Sequence, residues 1–356
     1  MTEPLTIIPH SKPLLGAEEA HAVAAVIASG QVAEGPETAA FERELAGRLG
    51  CAHAVAVSSG TAALHLALAA MGVGAGDEVI VPSFVCAALF HAVAAAGAVP
   101  VPADIDPLTL NLDPADARRR LSPRTAALVL PHLFGRVADP APFLEMGVPL
   151  VEDCAHTLGA RVDGRPAGSF GHAAVTSSYA TKLIATGEGG AVATASEPLA
   201  AAVRDLKQYD RRPLDRARYN LKFTDLQAAV GRAQLRRLDA FIRRRREIAA
   251  CYRSALGPPL GGEKDPDGRI YFRYVLDAGT GAEALIRRAA RAGISCERPV
   301  HTPLHRLMGL SGFPATEDAW RRSVSIPIYP ALTDPEVERV IDVLAAMLQP
   351  PLGATS

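Results

Sequence analysis

The sequence predicts an α/β protein. Its mostly parallel central sheet is covered by helices on both faces, and a smaller α+β region follows. Three observations predict this. Short, continuously apolar runs alternate with helical segments between Ala54 and Val151, the pattern of strands buried on both faces. Of the 356 residues, 49% are hydrophobic and 21% charged, enough for a large core and a comfortable length for two domains. The composition then shifts after the Gly- and Pro-rich stretch 257–262, GPPLGG.

Each element has its own signal. Residues 17–28 carry apolar side chains at helical spacing, with Gly30 beyond the end. Pro36–Leu49 is a second helix with Phe41, Leu45 and Leu49 on one face. Strands are expected at 54–57, 78–81, Val99–Ala103, 126–130 and 149–151, with helices at 62–71 and 84–96. Ala173–Ser177 and Gly190–Thr194 read as later strands of the same sheet. Thr224 and Gln227 form a capping-box pattern, and Leu226, Val230, Leu238 and Phe241 recur at helical spacing. That helix is expected to run to about Leu256, long enough to bridge two domains. A strand at 271–276 and helices at 282–292 and 335–348 follow. The expected boundary lies near Ala240, giving a large domain at 1–240 and a small one at 241–356.

Composition excludes several classes. A net charge of -1 exerts no pull on nucleic acid or anionic membrane. The five cysteines, Cys51, Cys86, Cys154, Cys251 and Cys296, form no C-x-x-C pair, so neither a zinc site nor a disulfide framework is expected. Such a set suits a reducing compartment. Residues 1–10 lack the basic start and apolar core of a signal peptide. The most apolar region, 87–101, is interrupted by His91 and Pro100 and is too short for a bilayer. The expectation is a soluble, cytoplasmic protein. His301 and His305 flank Pro303 and so share no helix face for a metal. Gly72-Val-Gly-Ala-Gly76 lies between a helix and a strand, the wrong order for a dinucleotide loop.

Chemistry centres on residues 177–190, SSYATKLIATGEGG. Lys182 sits among small and apolar neighbours, which do not suit a solvated charge. A lysine in a partly dry pocket loses its proton and attacks a carbonyl, and the aldehyde of pyridoxal 5'-phosphate (PLP) is the obvious partner. PLP also needs a carboxylate for its ring nitrogen and backbone amides for its phosphate. Ser58-Ser-Gly-Thr61 follows a strand and opens a helix, so Gly60 permits close approach while Thr61 and Ala62 offer amides. Read alone, those residues describe an ordinary helix cap. Asp153, in Val151-Glu-Asp-Cys-Ala-His156, ends a buried strand, where open α/β sheets bind ligands. It equally suits a cap for the next segment. The glycines at 187, 189 and 190 suggest a tight turn.

The segments SSGTAALHLAL, VPSF, VEDCAHTLGA, SSYATKLIATGEGG and YNLKFTDLQAAVGRAQL occur in this order. Together they closely resemble the DegT/StrS-type family of PLP-dependent sugar aminotransferases, over nearly the whole chain. The resemblance implies fold type I architecture and a homodimer with active sites at the subunit interface. By the same resemblance, Lys182 matches the Schiff-base lysine and Asp153 the partner of the pyridine nitrogen. Gly60, Thr61 and Ala62 match the phosphate-binding turn, and Ser177 a serine that also reaches the phosphate. Asn220 matches an asparagine contributed by the neighbouring subunit, and Gln227 a structural member of the same motif. There are three departures. His156 stands where the family usually has glutamine beside the ring, and it can titrate. Cys86 stands where a stacking aromatic is usual. Lys222 replaces an arginine. The implied reaction moves an amino group from glutamate or glutamine to a keto sugar, with a nucleotide-linked keto-deoxysugar ahead of a free keto-cyclitol. A sugar dehydratase and a non-catalytic PLP-binding regulator are the rival readings.

Overall fold

The computed structural model describes residues 6–262 and 268–348. Two helices come first, α1 (Ala17–Ser29) and α2 (Pro36–Leu49). Strands then alternate with helices: β1 (His53–Val57), α3 (Gly60–Ala70), β2 (Glu78–Pro82), α4 (Ala88–Ala95), β3 (Val99–Ala103), α5 (Pro114–Arg119), β4 (Thr125–Pro131), α6 (Ala141–Leu144) and β5 (Leu150–Asp153). A two-residue hairpin, β6 (Arg161–Val162) with β7 (Arg165–Pro166), precedes β8 (Ala173–Ser177) and β9 (Gly190–Thr194). The main sheet has seven strands in the order β1-β9-β8-β5-β4-β2-β3. Only β9 runs against its neighbours, β1 and β8. The fold is α/β with a mostly parallel sheet, as the sequence predicts.

Alternation sorts the side chains between two cores. Val55, Val57, Val129, Val151 and Val175 enter one cluster, which α3 and α4 cover with Ala63, Leu66 and Leu89. Ala54, Ala56, Ala174 and Ala193 face the opposite way and pack with Phe41, Leu45 and Leu238 of the helical layer. Asp153 is in phase with Val151, and Ser177 with Val175. Both therefore project on the α3 side of the sheet.

After α7 (Glu197–Leu206) comes α8 (Asp225–Leu256), 32 residues and about 48 Å long. Its capping box is formed: Thr224 Oγ1 accepts from the Gln227 amide, and the Gln227 side chain returns to Thr224. The helix packs on α1 and α2 at one end and on the last helix at the other. The C-terminal region holds β10 (Tyr274–Asp277), α9 (Ala282–Arg291), α10 (Leu304–Leu307), α11 (Pro314–Arg322), β11 (Ser323–Ile326) and α12 (Asp334–Leu348). Its core joins Tyr252, Tyr274, Leu285, Ile326 and Leu344 with Ile8 from the start of the chain. Ile8 exchanges backbone hydrogen bonds with Gly293 and Ser295.

Two expected elements start late. Helix α4 begins at Ala88 rather than 84, because Ser83 bonds to the Ala103 carbonyl and the chain stays irregular to Ala87. The strand expected from 271 begins at Tyr274, since Tyr271 has φ +50°, which breaks extended backbone. Ser83 also fastens the two regions together. Its Oγ lies 2.6 Å from His305 Nδ1, and His305 Nε2 lies 2.8 Å from Glu317 Oε1.

Asp225 ties α8 to α2. Its buried carboxylate accepts from the amides of Gly35, Glu37 and Thr38 at 2.8, 3.1 and 2.9 Å and from the Thr38 hydroxyl at 2.7 Å. It caps a helix whose own N-cap, Gly35, has no side chain to do so. Asp225→Ala is expected to destabilise the fold by about 2–4 kcal/mol, read as a lower urea midpoint at unchanged slope.

Candidate active site

A cavity of about 410 Å³ opens at the carboxyl ends of the parallel strands, where open α/β sheets bind ligands. Ser59, Gly60 and Thr61 wall it after β1, and Val85 and Cys86 after β2. His132 follows β4, Asp153 and His156 end and follow β5, and Ser177 ends β8. Lys182 enters from the loop before β9, and Arg273, Pro299 and Val300 come from the C-terminal region.

The turn into α3 is an anion site by construction. Ser59 is the N-cap, and its Oγ accepts from the Ala62 amide at 3.1 Å. Ala62 is thus already satisfied and lies outside the cavity lining, which corrects the expectation that its amide is free. The amides of Gly60 and Thr61 have no partner among the described hydrogen bonds, and they carry the positive end of the helix dipole. A Cβ on Gly60 would stand 2.8 Å from Ser177 Cβ, so only glycine lets the turn close on that serine. Gly190 does the same from below: a Cβ there would stand 2.6 Å from the Gly60 amide nitrogen. The glycine-rich run after Lys182 therefore serves the anion site as well as turning the chain.

Burial sets the electrostatics. Desolvation lowers the Lys182 pKa, the nearby Cys86 and Asp153 partly offset this, and the Arg273 charge lowers it further. Desolvation raises the Asp153 pKa against the Ala155 amide and the Lys182 charge. Desolvation, with the Lys182 and Arg273 charges, holds the His156 pKa well below its ordinary value. The titration expected of His156 is thus suppressed, and the ring is neutral at neutral pH. His156 stacks on Phe272 with centroids 4.1 Å apart. Lys182 Nζ lies 5.2 Å and the Arg273 guanidinium carbon 4.9 Å from the same Phe272 ring.

Beneath Asp153, Glu152 points to the other face and is fully buried. It meets His132 Nε2 at 2.9 Å and accepts from the amides of Gly168, Phe170 and Gly171 at 2.9, 2.7 and 2.7 Å. His132 Nδ1 accepts from the Ala138 amide, leaving Nε2 to carry the proton toward Glu152. Burial raises the Glu152 pKa, but the His132 bond and charge and the amides pull it to a net value below normal.

Lys182, Asp153, His156, Cys86, Ser177, Gly60 and Thr61, all expected from sequence, meet at one cavity. Asn220 is exposed and does not line the cavity of its own chain. Lys222 pairs with Asp210 at 2.8 Å. Sequence reasoning missed Arg273, Phe272 and His132. A charge inside the apolar run Tyr271–Leu276 was the available signal for Arg273.

The donor set suits PLP on observations of this structure: free amides at a helix start, a half-buried carboxylate, and a desolvated lysine around one cavity. Fold and site together define a PLP-dependent aminotransferase of fold type I. Residues 13–345 match the DegT/DnrJ/EryC1/StrS aminotransferase family, and the chain belongs to it. GDP-perosamine synthase of Caulobacter vibrioides is 36% identical over 332 residues, covering 86% of this chain and 89% of that one. The dTDP-4-dehydro-2,3,6-trideoxy-D-glucose 4-aminotransferase of Saccharopolyspora spinosa is 35% identical over 363 residues, covering 93% and 94%. The crystal structure of the aminotransferase TlmJ from Streptoalloteichus hindustanus superposes with TM-score 0.89 at 36% identity, covering 96% of this chain and 99% of that one.

The depressed Lys182 pKa has a direct readout. In cofactor-free protein, amine labelling of Lys182 followed by mass spectrometry against pH is expected to show a midpoint below the ordinary lysine value of 10.5. A midpoint at or above that value contradicts the desolvation argument.

Proposed function

We propose that this aminotransferase moves an amino group from glutamate or glutamine to a keto sugar, most simply a nucleotide-linked keto-deoxysugar. One observation carries the reading: a single cavity gathers a desolvated lysine, a half-buried carboxylate and an amide-rich helix start. The names of the two relatives, one a GDP-sugar enzyme and one acting on a dTDP-sugar, support the acceptor class.

In this reading the amides of Gly60 and Thr61 and the Ser177 hydroxyl would hold the phosphate of PLP. Asp153 would face the pyridine nitrogen, Cys86 and His156 would flank the ring, and Lys182 would bind the aldehyde. Bound there, PLP supplies the electron sink that a carbanion next to nitrogen requires. The chain's own residues do the rest. Asp153, whose affinity for protons is raised by burial, is a strong acceptor for a protonated ring nitrogen. Lys182, whose proton affinity is lowered by its dry surroundings, would hold the aldehyde carbon and would carry the proton between the donor's α-carbon and the acceptor carbon. His156, neutral and stacked on Phe272, would donate a hydrogen bond to the cofactor without adding charge.

The wider arrangement is also a proposal. The large domain spans 1–240 and the small one 241–356, with Ile8 crossing into the small domain's core. A homodimer would bring Asn220, exposed on its own chain, to the partner's cavity. The free thiols fit the cytoplasm, and among the described residues no helix is long and apolar enough to cross a membrane.

Lys182→Ala is expected to abolish transfer from glutamate to any keto sugar. Asp153→Asn should lower kcat about 10²–10⁴-fold while leaving the fold intact. Mass analysis of the product decides the reaction class: an amine gained supports transamination, whereas loss of water identifies a dehydratase. Turnover by Lys182→Ala at the wild-type rate would sink the assignment.

A further inference from the structure

Arg273 is a cavity cation that the proposed chemistry leaves unused. It follows Tyr271 and Phe272 on the segment leading into β10 and lines the same cavity as Lys182, Asp153 and His156. Desolvation lowers its pKa only to about 10, so it is charged at neutral pH. Its described side-chain hydrogen bonds run from Nη1 to the His10 ring nitrogens, at 3.0 and 3.2 Å. His10 is no counter-charge. Burial lowers its pKa overall, and its Nδ1 lies 3.0 Å from Glu297 Oε2. Among the described residues no carboxylate pairs with Arg273, and its Nε and Nη2 have no hydrogen-bond partner. Neither nitrogen is among the buried atoms sealed from solvent. The guanidinium thus offers the cavity a free, planar two-donor edge.

That edge matches a carboxylate, which accepts two parallel N–H bonds from one guanidinium. Glu297 offsets the burial of Arg273 only from behind His10, and an anion that pairs directly with so desolvated a cation binds with part of that cost already met by the fold. We propose that the Nε/Nη2 edge of Arg273 binds a substrate carboxylate, and that it is the α-carboxylate of the amino donor. The inference rests on the transamination reading. The donor must bring its α-carbon to Lys182, and its carboxylate is one bond from that carbon. The carboxylate therefore needs a cation on the wall near Lys182 other than Lys182 itself, which must be neutral. Arg273 fits, since both it and Lys182 lie within contact range of the Phe272 ring.

The arrangement also times the proton transfer. The Arg273 charge lowers the proton affinity of Lys182. A carboxylate seated on Arg273 neutralises that charge, so the amine becomes a better base when the donor is bound. When the keto-acid product leaves, the repulsion returns and favours loss of the proton.

The test uses PLP-loaded protein and follows the donor and acceptor half-reactions separately through the absorbance of the cofactor. In Arg273→Gln, kcat/KM for glutamate should fall about ten- to a hundredfold, mainly through KM, while the acceptor's KM stays at its wild-type value. Calorimetric binding of maleate, a dicarboxylate with no amine to react, should weaken by a similar factor. Arg273→Lys should recover part of both losses, and Arg243→Gln, on the exposed face of α8, should change neither. Loss confined to a carboxylate-bearing acceptor would assign the edge to the acceptor and overturn the donor assignment. Unchanged half-reactions and maleate binding, in a variant that holds PLP and melts like wild type, would overturn the proposal altogether. Persistent turnover in Lys182→Ala would instead defeat the transamination reading, whatever Arg273 does.

Discussion

The buried hydrogen bond between His132 and Glu152 governs where the central sheet ends and what faces the cavity. Strand periodicity sends neighbouring side chains to opposite faces. With Glu152 anchored by His132 and three amides on one face, Asp153 has to face the other. A carboxylate that accepts four hydrogen bonds tolerates burial that a bare one does not. The same pair sets the end of β4, since the His132 amide bonds to the Asp153 carbonyl at 3.1 Å. One lock therefore aligns the two strand ends from which His132 and Asp153 enter the site.

A second constraint is steric. The turn into α3, the end of β8 and the start of β9 meet so closely that Gly60 and Gly190 have no room for a β-carbon. This closeness leaves two helix-start amides bare beside Ser177. The C-terminal region closes the other side of the cavity with Arg273, Pro299 and Val300, and several cations gather on the adjacent Phe272 ring. Position rather than number of charges decides their chemistry: Arg245, 5.8 Å from the Phe272 ring, is spent on the carbonyls of Phe272 and Ile328, whereas Arg273 keeps an edge free.

Much of this was legible in the sequence because it rests on local rules. The capping box at Thr224, the long helix to Leu256 and the buried strands each follow from spacing and residue type. Lys182, Asp153 and the Gly60 turn were legible as an ordered set of motifs, since each lies at a strand end or a helix start. What stayed hidden depends on contacts distant in sequence. Nothing local marks Ala62 as already bonded to Ser59, Ile8 as part of a core 240 residues away in sequence, or Arg273 as a cavity wall. The strand expected from 271 was a related error: apolar composition matched a strand, but Tyr271 takes a positive φ, which spacing and residue type do not reveal. The suppressed titration of His156 is likewise a product of burial, which no spacing reveals.

The row Ser83–His305–Glu317 has the order of nucleophile, base and orienting acid found in serine hydrolases. It has none of their reactivity, because Ser83 has no exposed surface and does not line the cavity. No ester can reach its oxygen, so a fluorophosphonate reagent would leave this protein unlabelled at that serine. Three residues that a geometric search would flag as an esterase serve here as a rivet between two halves of the chain.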